Sequence, residues 1–368
     1  MKVTSNGIQI HVKDQGNGTL PVVFLHYWGG SSRTWDDVIS ALPVEYRTIA
    51  PDLRGWGDSD APAAGYALAD FADDAQHLIA ALKLDRFVLV GHSMGGKIAQ
   101  LLASRRPRGL AGLVLVAPSP PVPLALPAEV RAAMQGAYLT RESVGMAIDQ
   151  MLTAKPLSPT HREQVIEDSL RGAHQAKLAW PQATSLEDIT LDVAAINVPT
   201  MVIAGELDRI DGTAILEAEL LTRVPHAVMR VLPGTGHLSP LESPVEVAAM
   251  IREFVDGIAS VGRDAITVTL LMNVKDDFAA DFASGLPSLM RETSSSPGAR
   301  SVRAFRNAES ANAILFVEEW ESEAAFKTYI AWRTERGDMA RLGEMLSKPP
   351  EISTWSTASQ AVSQAAGL

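Results

Sequence analysis

The sequence predicts an open, mostly parallel α/β sheet interrupted by a helical insertion, followed by a smaller and separate α+β unit. Three observations carry this reading. Short apolar runs alternate with helix-period segments up to about residue 120, helices alone fill 127 to about 190, and a new strand–helix rhythm begins near 264. At 368 residues the chain is too long for one ordinary domain. The expected units are 1–260, with a helical lid at about 121–192, and 263–368.

The first eighteen residues, "MKVTSNGIQIHVKDQGNG", alternate apolar and polar and read as an opening hairpin, without a signal-peptide core. "VVFLH" (22–26), "RTIAP" (47–51), "FVLVG" (87–91) and "GLVLVAP" (112–118) read as buried strands rich in Val, Leu and Ile. Between two of them Phe71, Ala75, Leu78, Ile79 and Leu82 share one helical face, with Asp70 as the expected N-cap. After "APSPPVPLALP" come four helical stretches, 127–138, 141–152, 158–170 and 173–180. Such an insertion is placed to cover the carboxyl ends of the strands, where parallel sheets bind ligands. "PTMVIAG" (199–205) and "AVMRVLPG" (227–234) resume the strands, and "SPVEVAAMIREFVDGI" closes the unit as a helix.

The second unit reads strand (266–274), helix, strands "RSVRAFRN" and "NAILFVEEW", one long or two short helices over 322–346, and strand "EISTWST". That βαββαβ order in about a hundred residues predicts a ferredoxin-like sheet. The small, polar tail after Ala358 is expected to fray.

Composition sets outer bounds on function. With 46% hydrophobic and 20% charged residues the chain reads as globular and soluble. A net charge of −11 excludes the basic face that nucleic acid requires. Apolar runs such as "LAGLVLVAP" fall far short of the ~20 residues of a membrane span, so no membrane partner is expected. There is no cysteine, which removes disulfides, thiolate metal sites and a thiol nucleophile, and fits a cytoplasmic location.

Chemistry concentrates at "GHSMGG", Gly91 to Gly96. Ser93 stands between a strand ending at Val90 and a helix beginning near Met94, flanked by Gly91 and Gly95. This G-x-S-x-G arrangement makes a sharp turn that lifts a serine hydroxyl above the sheet and aims a helix N-terminus at an oxyanion. A serine nucleophile needs a base, and the base an orienting acid. His237, in the loop "PGTGHLSP" after the last strand, is the expected base, and Asp208 in "VIAGELDRID" the expected acid, with Asp211 its competitor. The remaining histidines carry structural readings: His11 in the first hairpin, His26 at a strand end, His77 on a helix, His92 in the elbow packing, His161 and His174 in the lid, His226 before a strand.

Over about residues 1–258 the blocks "LHYWGGSSRTW", "PDLRGWGDSD", "GHSMGGKIAQ" and "AGELD…GTGHLSPLESP" resemble the α/β-hydrolase fold family. The resemblance implies Ser93 as nucleophile, Asp208 and His237 as acid and base, and an oxyanion hole from the backbone N–H groups of Met94 and Trp28. Tyr27 stands where the family's pattern has glycine. Tyr27, Tyr138 and Trp180 are candidates for the substrate pocket, and Met134, Met146 and Met151 belong equally to pocket or lid core. "PDLRGWGDSD" reads as a loop organiser.

The segment "ILFVEEWESEAAFKTYIAW", following "RSVRAFRN", resembles the antibiotic biosynthesis monooxygenase-like family of dimeric α+β barrels over about 265–357. The resemblance implies a homodimer through this unit, in which one sheet face needs a partner. It also implies a pocket, for which Trp320, Tyr329, Trp332 and Asn312 are candidates; the unit has no histidine. Together these readings predict a serine hydrolase of carboxylic esters or lactones, with no metal or organic cofactor. The rival is cofactor-free oxygenase or perhydrolase/haloperoxidase-type chemistry on a quinol or aromatic substrate.

Overall fold

The computed structural model describes residues 1–263 and 265–356, with the side chains of 260–263 left aside. The tail after Ala358 lies outside the described residues. The chain forms two compact units, Met1–Asp256 and Gly257–Leu368.

In the first unit an eight-stranded sheet is built from β1 (Lys2–Ser5), β2 (Ile8–Gln15), β3 (Val22–Leu25), β4 (Thr48–Pro51), β5 (Phe87–His92), β6 (Leu110–Val116), β7 (Thr200–Gly205) and β8 (Val228–Leu232). Its order is β1-β2-β4-β3-β5-β6-β7-β8. The opening hairpin pairs antiparallel, β2 joins β4 antiparallel, and every pairing from β4 through β3 to β8 is parallel. Strands β3, β4, β5 and β7 are buried at every residue. Since side chains alternate in direction along a strand, both faces of this central sheet are covered. Edge strand β8 is largely exposed.

The helices are α1 (Asp36–Ser40), α2 (Leu68–Ala81), α3 (Met94–Ser104), α4 (Ala128–Gly136), α5 (Arg141–Ala147), α6 (Pro159–Arg171), α7 (His174–Gln182), α8 (Thr213–Leu216), α9 (Ser239–Glu242) and α10 (Pro244–Arg263). Helix α2 buries Phe71, Ala75, Leu78 and Ile79 as the spacing predicts. Its cap differs: Ala67 is the N-cap, and Asp70 sits three residues in, where its carboxylate accepts the Ala67 N–H at 2.9 Å. The acid still satisfies a free donor, but from inside the first turn. The stretch 141–152 is α-helical only to Ala147 and continues as a wider π-helical turn over Ile148–Leu152.

The second unit has β9 (Ile266–Asn273), α11 (Ala279–Ser294), β10 (Ala299–Arg306), β11 (Ala313–Trp320), α12 (Glu323–Glu335), α13 (Asp338–Met345) and β12 (Glu351–Ser356). Its sheet runs β10-β11-β9-β12 with all neighbours antiparallel, the ferredoxin-like order. The helical segment between β11 and β12 is two helices, because Gly337 takes the left-handed conformation (φ 79°) that ends α12 and starts α13. Val268, Leu270, Met272, Ile314, Phe316 and Trp320 form its core with Phe282, Phe326 and Tyr329 of the helices.

Candidate active site

Ser93 sits between β5 and α3 with φ 51° and ψ −115°, a backbone conformation that side chains rarely adopt. The turn is feasible because the residues two places away on either side, Gly91 and Gly95, lack side chains. A Cβ on Gly91 would fall 2.3 Å from the Gly95 carbonyl oxygen, and one on Gly95 would fall 2.5 Å from those of Leu25 and His26. The Ser93 N–H donates to Val116 O at 3.1 Å, tying the elbow to β6. Its carbonyl accepts from Lys97 and Ser119.

His237 Nε2 lies 2.8 Å from Ser93 Oγ, and His237 Nδ1 lies 2.8 Å from Asp208 Oδ2. Asp208 Oδ1 accepts the N–H groups of Ile210 (2.8 Å) and Asp211 (3.2 Å), which hold the carboxylate in place. Nδ1–H therefore donates to the acid, and Nε2 is left to accept the serine proton. Burial pushes the His237 pKa down, but the Asp208 carboxylate, together with the charges of Asp211 and Glu242, outweighs it and holds the imidazole above its usual range. Burial likewise raises Asp208, and the facing His237 with two backbone donors brings it below its usual value. Asp211, the competitor, is buried beside the pair without bonding to His237; burial pushes its carboxyl up to about 7.

Two groups beyond the three predicted ones support His237. His92 donates from Nε2 to the His237 carbonyl at 2.8 Å, and burial next to the charge of His237 drops its pKa to about 3, so it stays neutral. Glu242 accepts with Oε2 from Gly236 (3.2 Å), Ala154 (2.9 Å) and Lys155 (3.2 Å), and Leu238 N–H donates to Leu152 O at 2.9 Å. The histidine loop is thus fastened to the lid chain at 152–155. His92 was legible only as the neighbour of Ser93; the Glu242 bonds depend on a lid segment more than eighty residues away in sequence.

On the opposite side, the loop after β3 is shaped by His26. Its Nε2 accepts the Leu53 N–H (2.9 Å), so Nδ1–H donates to Tyr27 O (2.8 Å). The lid grips the same loop. Tyr138 O–H donates to Trp28 O at 3.0 Å, Ser169 O–H to Gly29 O at 3.0 Å, and Asp168 accepts from Ser31 and Arg33. The Tyr138 ring lies 4.2 Å from that of Trp28, and the Tyr27 ring 5.2 Å from that of His92. Trp180 is buried in the same apolar cluster as Tyr27, Trp28 and Tyr138. Met146 and Met151 stand exposed, at 49% and 42%, on the outside of the lid. Ser93 itself is only 7% exposed.

The "PDLRGWGDSD" block is bonded within the scaffold. Asp52 accepts from the N–H groups of Ser32 (2.6 Å) and Asp58 (2.9 Å) and pairs with His11 Nδ1 (2.8 Å). Arg54 forks onto Asp74 with two contacts of 2.5 Å. In the second unit Tyr329 lines a cavity, Trp320 is fully buried with Nε1 on Glu318 (3.0 Å), Trp332 is 39% exposed, and Asn312 bonds Asp276 on the surface. No described helix is long and apolar enough to cross a membrane.

Residues 22–250 match the model of the alpha/beta hydrolase family, and residues 265–331 that of antibiotic biosynthesis monooxygenase. A non-heme haloperoxidase of Rhodococcus erythropolis is 33% identical over 252 residues, covering 63% of this chain and 90% of that protein. Among solved structures, the esterase EaEST from Exiguobacterium antarcticum is similar with a TM-score of 0.65 and 25% identity, over 70% of this chain and 99% of that one. Est816, described as an N-acyl homoserine lactone degrading enzyme, is similar with a TM-score of 0.59 and 28% identity, over 69% of this chain and all (100%) of that one.

Proposed function

The chain belongs to the alpha/beta hydrolase family, and on that premise we propose that its first unit is a serine hydrolase cleaving carboxylic esters or lactones. The observation that carries the reading is the unbroken chain Ser93–His237–Asp208, with both links at 2.8 Å, at a strained strand-to-helix turn. Ser93 Oγ attacks the substrate carbonyl carbon as His237 Nε2 takes its proton. Asp208 stabilises the imidazolium, and the backbone N–H groups of Met94 and Trp28 receive the oxyanion. Collapse of the tetrahedral adduct expels the alkoxide, which takes the proton from His237; water, activated by the same histidine, then releases the acid. In a lactone the alcohol and acid remain one molecule. Similarity to an esterase and to a lactone-degrading enzyme supports this substrate class.

A fluorophosphonate probe tests the reading. Intact mass is expected to gain one adduct on the wild type and none on Ser93→Ala; an unlabelled, folded wild type would remove the nucleophile assignment. The haloperoxidase relative favours a second reading at the same serine, in which hydrogen peroxide instead of water cleaves the acyl-enzyme and yields a peracid. Peroxide-dependent halogenation in acetate buffer would reveal it.

For the second unit we propose a homodimer through its sheet. The face turned away from the helices aligns Phe305, Leu315 and Leu271 across three strands, with Val317 and Trp355 nearby. Phe305 and Trp355 are 48% and 58% exposed, and an apolar face of this kind is stabilised by a partner.

A further inference from the structure

The second unit contains a cavity of about 400 Å³ between its sheet and helices α11, α12 and α13, a size that suits a small organic ligand. Leu270, Phe282, Phe316 and Ile330 give it an apolar body. At one wall stands Arg333, only 6% exposed. Its Nε donates to Tyr329 O–H (2.9 Å), and its Nη1 meets Glu292 (2.6 Å) and Asp338 (2.9 Å). Its Nη2 is buried and has no hydrogen-bond partner. A guanidinium nitrogen carries two N–H donors, and although the Tyr329 and Trp332 rings lie 5.2 and 5.1 Å from the guanidinium, leaving these donors buried without an acceptor costs free energy that an acceptor on a ligand would recover.

The charge around Arg333 selects the acceptor. Glu292 and Asp338 are shared among three guanidiniums, since Arg336 pairs with both and Arg341 with Asp338. Three cations on two carboxylates leave one positive charge over within this ion-pair network, with the exposed Asp281 apart from it on the wall. The other acids of the wall are Asp281 and Glu318. Glu318 is buried and accepts from Trp320 Nε1 at 3.0 Å; burial raises its pKa, against the opposing pull of that bond and of Arg333. A carboxylate fits these donors, because its two oxygens match the planar N–H pattern of a guanidinium.

We propose that this cavity binds an apolar monocarboxylate, its carboxylate on Nη2 of Arg333 and its hydrocarbon part between the sheet and α11. The site differs in residues and in unit from the Ser93 centre. It stands without the hydrolase reading, although hydrolysis of an apolar ester would release a ligand of this class.

The test uses the full chain carrying Ser93→Ala, so that no ester is turned over, and titration calorimetry with 2-naphthoate and its methyl ester. The acid is expected to bind on the order of tenfold tighter than the ester or better. Arg333→Met should abolish that preference, and Ile330→Trp, which fills the cavity while keeping Arg333 and its acidic partners in the sequence, should abolish binding of both. Equal affinity for acid and ester, no measurable heat with the acid, or a preference that survives a folded Arg333→Met would overturn the proposal. If Arg333→Met does not fold, the acid-to-ester ratio and Ile330→Trp decide. Because the readout is binding to a serine-less chain, a failed esterase assay leaves it standing.

Discussion

Ser93, His237 and Asp208 are hydrogen-bonded in one chain, and under the proposed triad removing the serine should remove nearly all of the rate. Ser93→Ala is expected to lower kcat by about four to six orders of magnitude, measured on any ester the wild type turns over. His92 acts through His237: its N–H holds the backbone carbonyl of the base. His92→Phe should lower kcat about tenfold with KM little changed, the loss of one buried hydrogen bond of about 1 kcal/mol being felt as misplacement of the imidazole. The pH profile has a definite sign. Catalysis requires unprotonated Nε2, and Asp208 holds the His237 pKa above its usual value, so kcat/KM falls as pH drops through that raised value. Asp211 adds a second negative charge beside His237 once it ionises near pH 7. Asp211→Asn should therefore shift the acidic limb of kcat/KM to lower pH; a limb that stays in place would show that Asp211 does not act on the base.

At the level of elements, the elbow and the lid make separate demands. Helix α3 approaches β3 closely only because position 95 has no Cβ, so Gly95→Ala drives a methyl against two carbonyl oxygens. It is expected to cost about 2–3 kcal/mol, seen as a fall of roughly 4–12 °C in the melting of the first unit. The lid meets the loop after β3 through Tyr138, whose O–H is bonded to Trp28 O. Tyr138→Phe keeps the ring packing and removes that bond. If Trp28 helps bind the oxyanion, kcat should fall severalfold with little change in Tm; a change confined to KM would place Tyr138 in substrate binding alone.

On the scale of the whole molecule, the two units are separate compact bodies with separate cores. The homodimer proposed above would be carried by the second, and Leu315→Arg on its outer sheet face should then leave a monomer by light scattering. Hydrolysis by the first unit should survive that change, since the groups bonded to the Ser93 centre described above all belong to Met1–Asp256.

The element rhythm was legible because strands and helices have different apolar periods, and because Gly91-x-Ser93-x-Gly95 constrains a turn locally. Local chemistry also marked His237 and Asp208 as candidates, in an order that one architecture explains. Other features depend on distance in space. The Asp70 cap moved because the chain entering α2 sets where the first turn begins. Asp208 rather than Asp211 bonds His237 because the loop after β7 turns one carboxylate to the imidazole and aims the backbone N–H of the other back at it. Glu242 and Arg333 carried no sequence signature, and Tyr138, legible as a pocket candidate, gave no sign of its bond to the Trp28 carbonyl, since each of these contacts depends on a partner on another element. The sequence by itself determined the strand–helix order and the reactive residue types. Only the tertiary structure decided which of them meet, because hydrogen bonds and buried charges are set by distances of about 3 Å that spacing along a chain does not specify.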